Sequence, residues 1–99
     1  ITFHRKTRKK ERHKGWILGT YISPEARSKG LGKLMLTETI SRAKILPGLQ
    51  QISLGVVTSM KAARSLYKSL GFAPYGLEKN GYLIGGQFYD IEYMSLSLT

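Results

Sequence analysis

Three cations and two glycines lie together in one short stretch of the sequence, PEARSKGLGKLML, residues 24–36. Glycine has no Cβ to keep a ligand away from the backbone, so such a stretch is suited to holding an anion. A helix that begins beside these glycines adds unpaired N–H groups and the positive end of its dipole. The stretch is therefore a candidate cradle for a diphosphate. Its candidate binding residues are Arg27, Lys29, Gly30, Gly32 and Lys33.

A second interpretation of the same stretch is conformational only. Two glycines also permit a tight turn between a strand and a helix, with the cations in solvent. Two common nucleotide-binding loops are absent, since position 35 is Met35 and breaks a GxGxxG run, and no GxxxxGK[ST] run occurs. On these residues alone, both the diphosphate cradle and the simple turn remain open.

The elements around this turn follow from hydrophobic spacing. Alternating or continuous apolar runs predict strands, and apolar residues at steps of three and four predict helices. The predicted strands are 1–6, 16–23, 51–57, 82–86 and 88–98, and the predicted helices are 30–46 and 60–70. Ser59 is suited to capping the second helix, and Gly71 to ending it.

The predicted order is β-β-α-β-α-β-β. The first two strands are expected to form a hairpin, and a right-handed crossover through the first helix makes strands 16–23 and 51–57 parallel. We therefore expect an α/β (α+β) fold with a mixed sheet. With 99 residues, the chain is expected to be a single domain.

The longer string YISPEARSKGLGKLML resembles the acetyl-CoA loop of the GNAT superfamily of N-acyltransferases. The family signature is Arg or Gln, two residues, Gly, one residue, and Gly or Ala; here it reads Arg27-Ser28-Lys29-Gly30-Leu31-Gly32. VVTSMKAARSLYKSLGFAPYG resembles a later helix of the family, and FYDIEYMSLSL its last strand. The resemblance covers about residues 15–99. It implies a GNAT-like fold truncated at its N-terminus, because the family has a strand and one or two helices before this part.

The resemblance also implies an activity, which is direct transfer of an acetyl group from acetyl-CoA to a primary amine, without a metal. Tyr67 matches the tyrosine that protonates the departing CoA thiolate, although its place on an apolar helix stripe also suits a core residue. Thr20, Tyr21 and Ile22 fall where the family's strand lends backbone groups to the pantetheine arm. Ser59 stands where the family usually has Asn. The implied cofactor-binding residues are Tyr21, Ile22, Arg27, Ser28, Lys29, Gly30, Leu31, Gly32, Lys33 and Ser59.

A general base for the amine is harder to assign from the sequence. The strand 16–23 contains no carboxylate. Asp90 and Glu92 on the last strand either face the acceptor channel or, as the alternation favours, lie on a solvent-exposed face. Deprotonation through a chain of water molecules is equally compatible with the sequence.

The net charge of +10 allows a different class of function, a basic module that binds nucleic acid. Residues 1–14 hold seven basic residues against one acid. Their run RKTRKKERHK has no interleaved aromatic residues, so a solvated hairpin tip is favoured over a nucleic-acid site. A third alternative is a catalytically inactive GNAT-like domain that binds CoA without turnover.

Composition excludes several other kinds of site and a membrane-spanning segment. The absence of cysteine excludes disulfides and a thiol nucleophile, and His4 and His13 have no partners at metal-ligand spacing. No apolar run reaches the ~20 residues that span a membrane, so we expect a cytoplasmic protein. The expected partners are acetyl-CoA and an unidentified amine acceptor. A truncated sheet also exposes an edge that is able to pair with a second copy in a homodimer.

Overall fold

The computed structural model describes residues 2–6, 12–18 and 31–98. In the order of the chain, the elements in these ranges are β1 (Thr2–Arg5), β2 (Lys14–Leu18), α1 (Leu31–Ala43), β3 (Gln51–Val57), α2 (Lys61–Ser69), β4 (Ala73–Ile84) and β5 (Gln87–Ser97). This confirms the predicted order β-β-α-β-α-β-β. No helix among the described residues is both long enough and apolar enough to cross a membrane.

The strands form one five-stranded mixed sheet in the order β1-β2-β3-β5-β4. The predicted hairpin at the start is confirmed, since β1 and β2 are antiparallel with Phe3 opposite Ile17. Strands β4 and β5 form a second antiparallel hairpin. Gly85 and Gly86 join them with φ values of +58° and +79°, as a two-residue hairpin turn requires.

The predicted start of β4 is wrong. We expect a strand at 82–86 from the sequence, but β4 runs from Ala73 to Ile84, and the two glycines that follow are turn residues. Residues 73–81 contain Pro74, Gly76, Asn80 and Gly81, which usually break a strand. The structure accommodates them with two register shifts against β5, one between Pro74 and Gly76 and one between Glu78 and Tyr82.

The chain packs as two compact units, and the expectation of a single domain stays a prediction. The first unit holds residues 1–52 and 97–99. In this unit α1 buries Leu36, Ile40 and Ala43, which lie on one helix face. Leu34 and Met35 also fit the apolar spacing that predicts this helix, but both are exposed.

Helix α1 also ends three residues earlier than the predicted 30–46. Pro47 disfavours a helical conformation at the residue before it and cannot donate to the preceding turn. Residues 44–46 therefore leave the helix through turn hydrogen bonds, of which one joins the Leu46 N–H to the Ala43 carbonyl at 3.0 Å. Gly48 follows with a φ of +77°.

The second unit, residues 53–96, contains α2 and the β4–β5 hairpin. Helix α2 ends in a Schellman motif. The N–H of Phe72 bonds the Tyr67 carbonyl at 3.0 Å, and the N–H of Gly71 bonds the Lys68 carbonyl at 3.1 Å. Gly71 has a φ of +101°, which confirms its predicted place at the helix end. The rings of Tyr67 and Phe72 meet edge to face, with centroids 6.1 Å apart.

We predict that Gly71→Ala lowers the free energy of unfolding by about 1–2 kcal/mol, because an L residue at positive φ is strained. The new Cβ would also lie 3.0 Å from Cδ1 of Leu96. Urea unfolding followed by circular dichroism measures the loss. Gly76→Ala is the matched control, since nothing lies within 4 Å of a Cβ there, and its effect should stay within about 0.5 kcal/mol. Equal effects of the two substitutions would contradict the argument.

Candidate functional site

The end of the glycine-containing stretch 24–36, the candidate diphosphate cradle, lies in α1. Gly32 and Lys33 lie in the first turn of the helix. That turn contains no acidic residue, so no carboxylate in it neutralises the positive end of the helix dipole or repels an anion there. Lys33 is exposed, and its carbonyl accepts a hydrogen bond of 2.7 Å from the Thr37 hydroxyl. Leu31 begins the described part of the helix. The other six predicted cofactor-binding residues that precede the helix lie outside the described residues: Tyr21, Ile22, Arg27, Ser28, Lys29 and Gly30.

Tyr67, the predicted proton donor, is a core residue of the second unit. Only 2% of its surface is exposed, and the Schellman motif fixes both its carbonyl and the ring of Phe72 beside it. The interpretation of Tyr67 as part of the apolar stripe is therefore confirmed. Its role as a general acid stays a prediction, and the buried ring gives that hydroxyl a fixed position.

Ser59 lies in the short link between β3 and α2. The prediction that it caps α2 is wrong, because the N-cap residue is Met60 and no side chain forms a cap hydrogen bond there. The N–H of Lys61 bonds the Ser59 carbonyl at 3.0 Å instead. The Ser59 side chain is exposed, and its predicted contact with the cofactor stays a prediction.

An ion pair that no local sequence pattern predicts joins α2 to β5. Nε of Arg64 lies 3.0 Å from Oε1 of Glu92, and Nη2 lies 3.3 Å from Oε2, so the pair is bidentate. The side chains are 28% and 17% exposed. Arg64 Nη1 also donates to the Thr58 carbonyl at 3.4 Å. The favoured placement of Glu92 on a solvent-exposed face is therefore wrong, since its side chain is half-buried and its carboxylate is paired with Arg64.

Asp90, the other carboxylate considered as a base, helps to shape the β4–β5 hairpin. Its Oδ1 accepts a hydrogen bond of 2.9 Å from the N–H of Asn80, which has a φ of +53°. The Asp90 carbonyl accepts a second one from the N–H of Thr58 at 3.1 Å. Asp90 thus holds Asn80 in its left-handed conformation and has a structural task in the hairpin.

A second carboxylate contact on the same hairpin joins Tyr93 to Glu78. The Tyr93 hydroxyl donates to Oε1 of Glu78 at 2.8 Å. This hydrogen bond is the main cause that raises the pKa of Tyr93 to about 12, and burial adds to it. The ring of Tyr75 lies beside that of Tyr93, with centroids 6.2 Å apart. Strand alternation alone could have placed these residues on one face, but β4 was not predicted to extend that far.

Two cations of the basic run near the N-terminus contact the protein itself. The Arg5 guanidinium donates to the Arg12 carbonyl at 2.7 Å and to the Pro47 carbonyl at 2.6 Å. The ammonium of Lys6 lies 5.5 Å from the centre of the Trp16 ring. The expectation of a solvated hairpin tip is therefore wrong for these two residues, while residues 7–11 lie outside the described part of the chain.

Metal-binding side chains do not gather in the part of the chain that the structure describes. No group of three His, Asp or Glu residues there could hold a metal ion. The described residues offer three kinds of group: the basic Lys33 at the start of α1, the buried phenol of Tyr67, and the carboxylates of the β4–β5 hairpin.

The five-stranded mixed sheet with two helices is the fold of GNAT acetyltransferases. The model of the Acetyltransferase (GNAT) family matches residues 1–72. The chain belongs to this family, as the resemblance of its turn and of its second helix indicates.

Solved structures with the same fold agree. An acetyltransferase of the GNAT family from Streptococcus pneumoniae is 32% identical, with a TM-score of 0.87 over 96% of this chain and 56% of that chain. The ribosomal-protein-S18-alanine N-acetyltransferase of Escherichia coli is 26% identical, with a TM-score of 0.77 over 88% of this chain and 56% of that one.

A third structure, of Arabidopsis thaliana NAA60 in complex with acetyl-CoA, is 24% identical and shares the fold, with a TM-score of 0.79 over 85% of this chain and 48% of that one. The chain therefore spans about half the length of the structures that it matches.

We predict that Glu92→Gln lowers the free energy of unfolding by about 1–3 kcal/mol, because it leaves the half-buried Arg64 without a counter-ion. Chemical unfolding measures the change. The matched control is Glu38→Gln, which breaks the pair with Arg42 between side chains that are 78% and 64% exposed. Such a pair contributes about 0.5 kcal/mol or less. A Glu92→Gln protein as stable as the control would show that solvent already screens the Arg64 pair.

Proposed function

We propose that the chain is an acetyl-CoA-dependent N-acetyltransferase that passes the acetyl group directly to a primary amine. The observation that carries the proposal is the family match over residues 1–72, which includes the whole signature turn from Arg27 to Gly32. The acetyl-CoA held by the related fold of NAA60 supports the choice of acyl donor.

In this proposal the turn and the start of α1 bind the diphosphate of acetyl-CoA. Arg27, Lys29 and Lys33 supply positive charge, and Gly30 and Gly32 let the phosphate oxygens approach the backbone N–H groups. Tyr21 and Ile22 would lend backbone groups to the pantetheine arm. The Ser59 side chain is exposed and forms no capping hydrogen bond with α2, so it would be available to the cofactor.

The transfer needs one nucleophile and one proton donor. The neutral amine attacks the thioester carbonyl carbon, a C–N bond forms, and the C–S bond breaks. The electron pair of that bond leaves on sulfur, and the Tyr67 hydroxyl gives its proton to the thiolate while solvent takes the proton of the amine. Positioning of thioester and amine supplies much of the rate, which is why a proton donor on a packed helix is useful.

Calorimetric titration of the protein with acetyl-CoA tests the proposal. Saturable heat at micromolar to low millimolar cofactor is the expected result, and no binding at millimolar acetyl-CoA would overturn it. Release of free CoA thiol in the presence of an amine then separates an active enzyme from a domain that binds CoA without turnover.

We predict that Arg27→Glu weakens acetyl-CoA binding tenfold or more. A charge-assisted hydrogen bond contributes about 1.5–3 kcal/mol, and the substitution replaces it with repulsion beside the diphosphate. The same calorimetry gives the dissociation constant. Arg42→Glu makes an equal change of net charge on an exposed residue at the other end of α1 and should leave the constant nearly unchanged. Equal losses in both variants would assign the effect to net charge.

For Tyr67→Phe we expect turnover to fall about 10²-fold, the scale of a positioned acid, with little change in acetyl-CoA affinity. The ring remains against Phe72, so the unfolding free energy should fall by no more than about 1 kcal/mol. A thiol-release assay and a melting curve measure the two effects. Normal turnover with lower stability would make Tyr67 a core residue only.

A further inference from the structure

The β4–β5 hairpin carries a charge opposite to that of the rest of the chain. Residues 73–97 contain three acidic residues and one basic residue, whereas the rest of the sequence contains three acids and fifteen bases. Four of the six tyrosines also lie in this segment. The hairpin is thus an acidic, tyrosine-rich region of a strongly basic protein, and its local field favours a cationic ligand.

One face of this hairpin gathers the tyrosines around a carboxylate. Opposite residues of an antiparallel pair share a face, and Glu78 is opposite Ile91 while Tyr82 is opposite Tyr89. Because alternate residues of β5 share a face, these side chains lie on the face of Tyr93. The hydrogen bond from Tyr93 to Glu78 and the contact between the rings of Tyr75 and Tyr93 agree with this placement.

Tyr82 shares the face of Glu78 by strand alternation, and the second register shift of β4 places it at the next pair along that face. Glu78 and Tyr82 pair with Ile91 and Tyr89, so three residues of β4 lie opposite Asp90 where a regular ladder would have one. Tyr82 therefore takes the place that Asn80 would hold in a regular strand. The hydrogen bond from Asn80 to Asp90 fixes the bulge, and at Gly81 a Cβ would lie only 2.5 Å from Cδ1 of Ile91.

The Glu78 carboxylate is available to a ligand. Among the described residues the ion pairs are Arg42–Glu38 and Arg64–Glu92, and Glu78 is exposed with its hydrogen bond to Tyr93. The rings beside it are accessible as well, since Tyr75 is 57% and Tyr82 46% exposed. Lys79 is the one basic residue of the hairpin and follows Glu78 directly in the sequence.

We propose that Tyr75, Glu78, Tyr82 and Tyr93 form a binding site for an organic ammonium group. A carboxylate gives the charge, and the faces of phenol rings attract an alkylammonium ion more than its neutral analogue. The ligand would be a second ammonium group of the amine acceptor, apart from the neutral amine that attacks the thioester, and this assignment rests on the proposed function. Binding of the cation itself does not depend on that function.

The test is an NMR titration of the protein with butylammonium chloride, followed through the amide signals of β4 and β5. Butan-1-ol is the neutral control ligand. We expect saturable shifts with butylammonium and none with the alcohol at the same concentrations. Equal shifts with both ligands would reveal an apolar surface and overturn the proposal.

Glu78→Gln removes the charge while its amide oxygen still accepts the Tyr93 hydrogen bond. It should weaken butylammonium binding about fivefold or more, and the amide spectrum shows whether the hairpin keeps its fold. Glu38→Gln is the matched control, because it removes one exposed carboxylate elsewhere and should leave the affinity unchanged. Equal weakening by both variants would mean that overall charge, and not this site, binds the cation.

A kinetic measurement separates this inference from the proposed function. In an acetylation assay with 1,4-diaminobutane, whose second amine stays an ammonium group while the first attacks, Glu78→Gln should raise KM and leave the affinity for acetyl-CoA unchanged. A protein that binds butylammonium at Glu78 but no acetyl-CoA would overturn the transferase and keep the cation site. An active enzyme whose butylammonium affinity and KM do not respond to Glu78→Gln would keep the transferase and overturn the cation site.

Discussion

Burial of adjacent residues in β3 is the constraint on which the other elements depend. Ile52, Ser53 and Leu54 are all buried although successive side chains of a strand point to opposite faces. Both faces of β3 must therefore be covered, which a central strand achieves when helices pack on a sheet. The strand also belongs to both compact units, because Ile52 ends one and Ser53 begins the other. Its sequence QISLGVV consequently holds no charged side chain.

The parts of the fold that could be predicted are those encoded by local spacing. The period of α2 and the glycine after it place the helix correctly, because Gly71 is needed where φ is positive. The hairpin of β1 and β2 follows from two short apolar runs around a charged turn. By contrast, the extent of β4 depends on register shifts that only its pairing with β5 creates, and no local pattern predicts a strand through Pro74 and Gly76.

In the candidate site, too, residues in contiguous motifs are predictable, whereas contacts between distant residues are not. The signature turn is readable because its residues are contiguous, and Tyr67 follows from its place in a second contiguous motif. The Arg64–Glu92 pair joins residues 28 positions apart, and the Tyr93–Glu78 bond joins residues 15 apart across a bulged ladder. No local pattern encodes such contacts. Local sequence likewise could not show that Ser59 leaves the cap of α2 unfilled, because serine is compatible with either state.

Strand β4 lies at the end of the sheet order, so one row of its backbone groups has no neighbouring strand among those described. A long, regular edge of this kind is a template for aggregation. Here the two register shifts leave the runs Gly76–Glu78 and Tyr82–Ile84, each of three residues, and Pro74 has no N–H to offer. A second polypeptide can therefore follow the edge for only a few residues before the ladder breaks. The register shifts that make the extent of β4 unpredictable from its local sequence thus also disfavour the addition of a further strand at this edge.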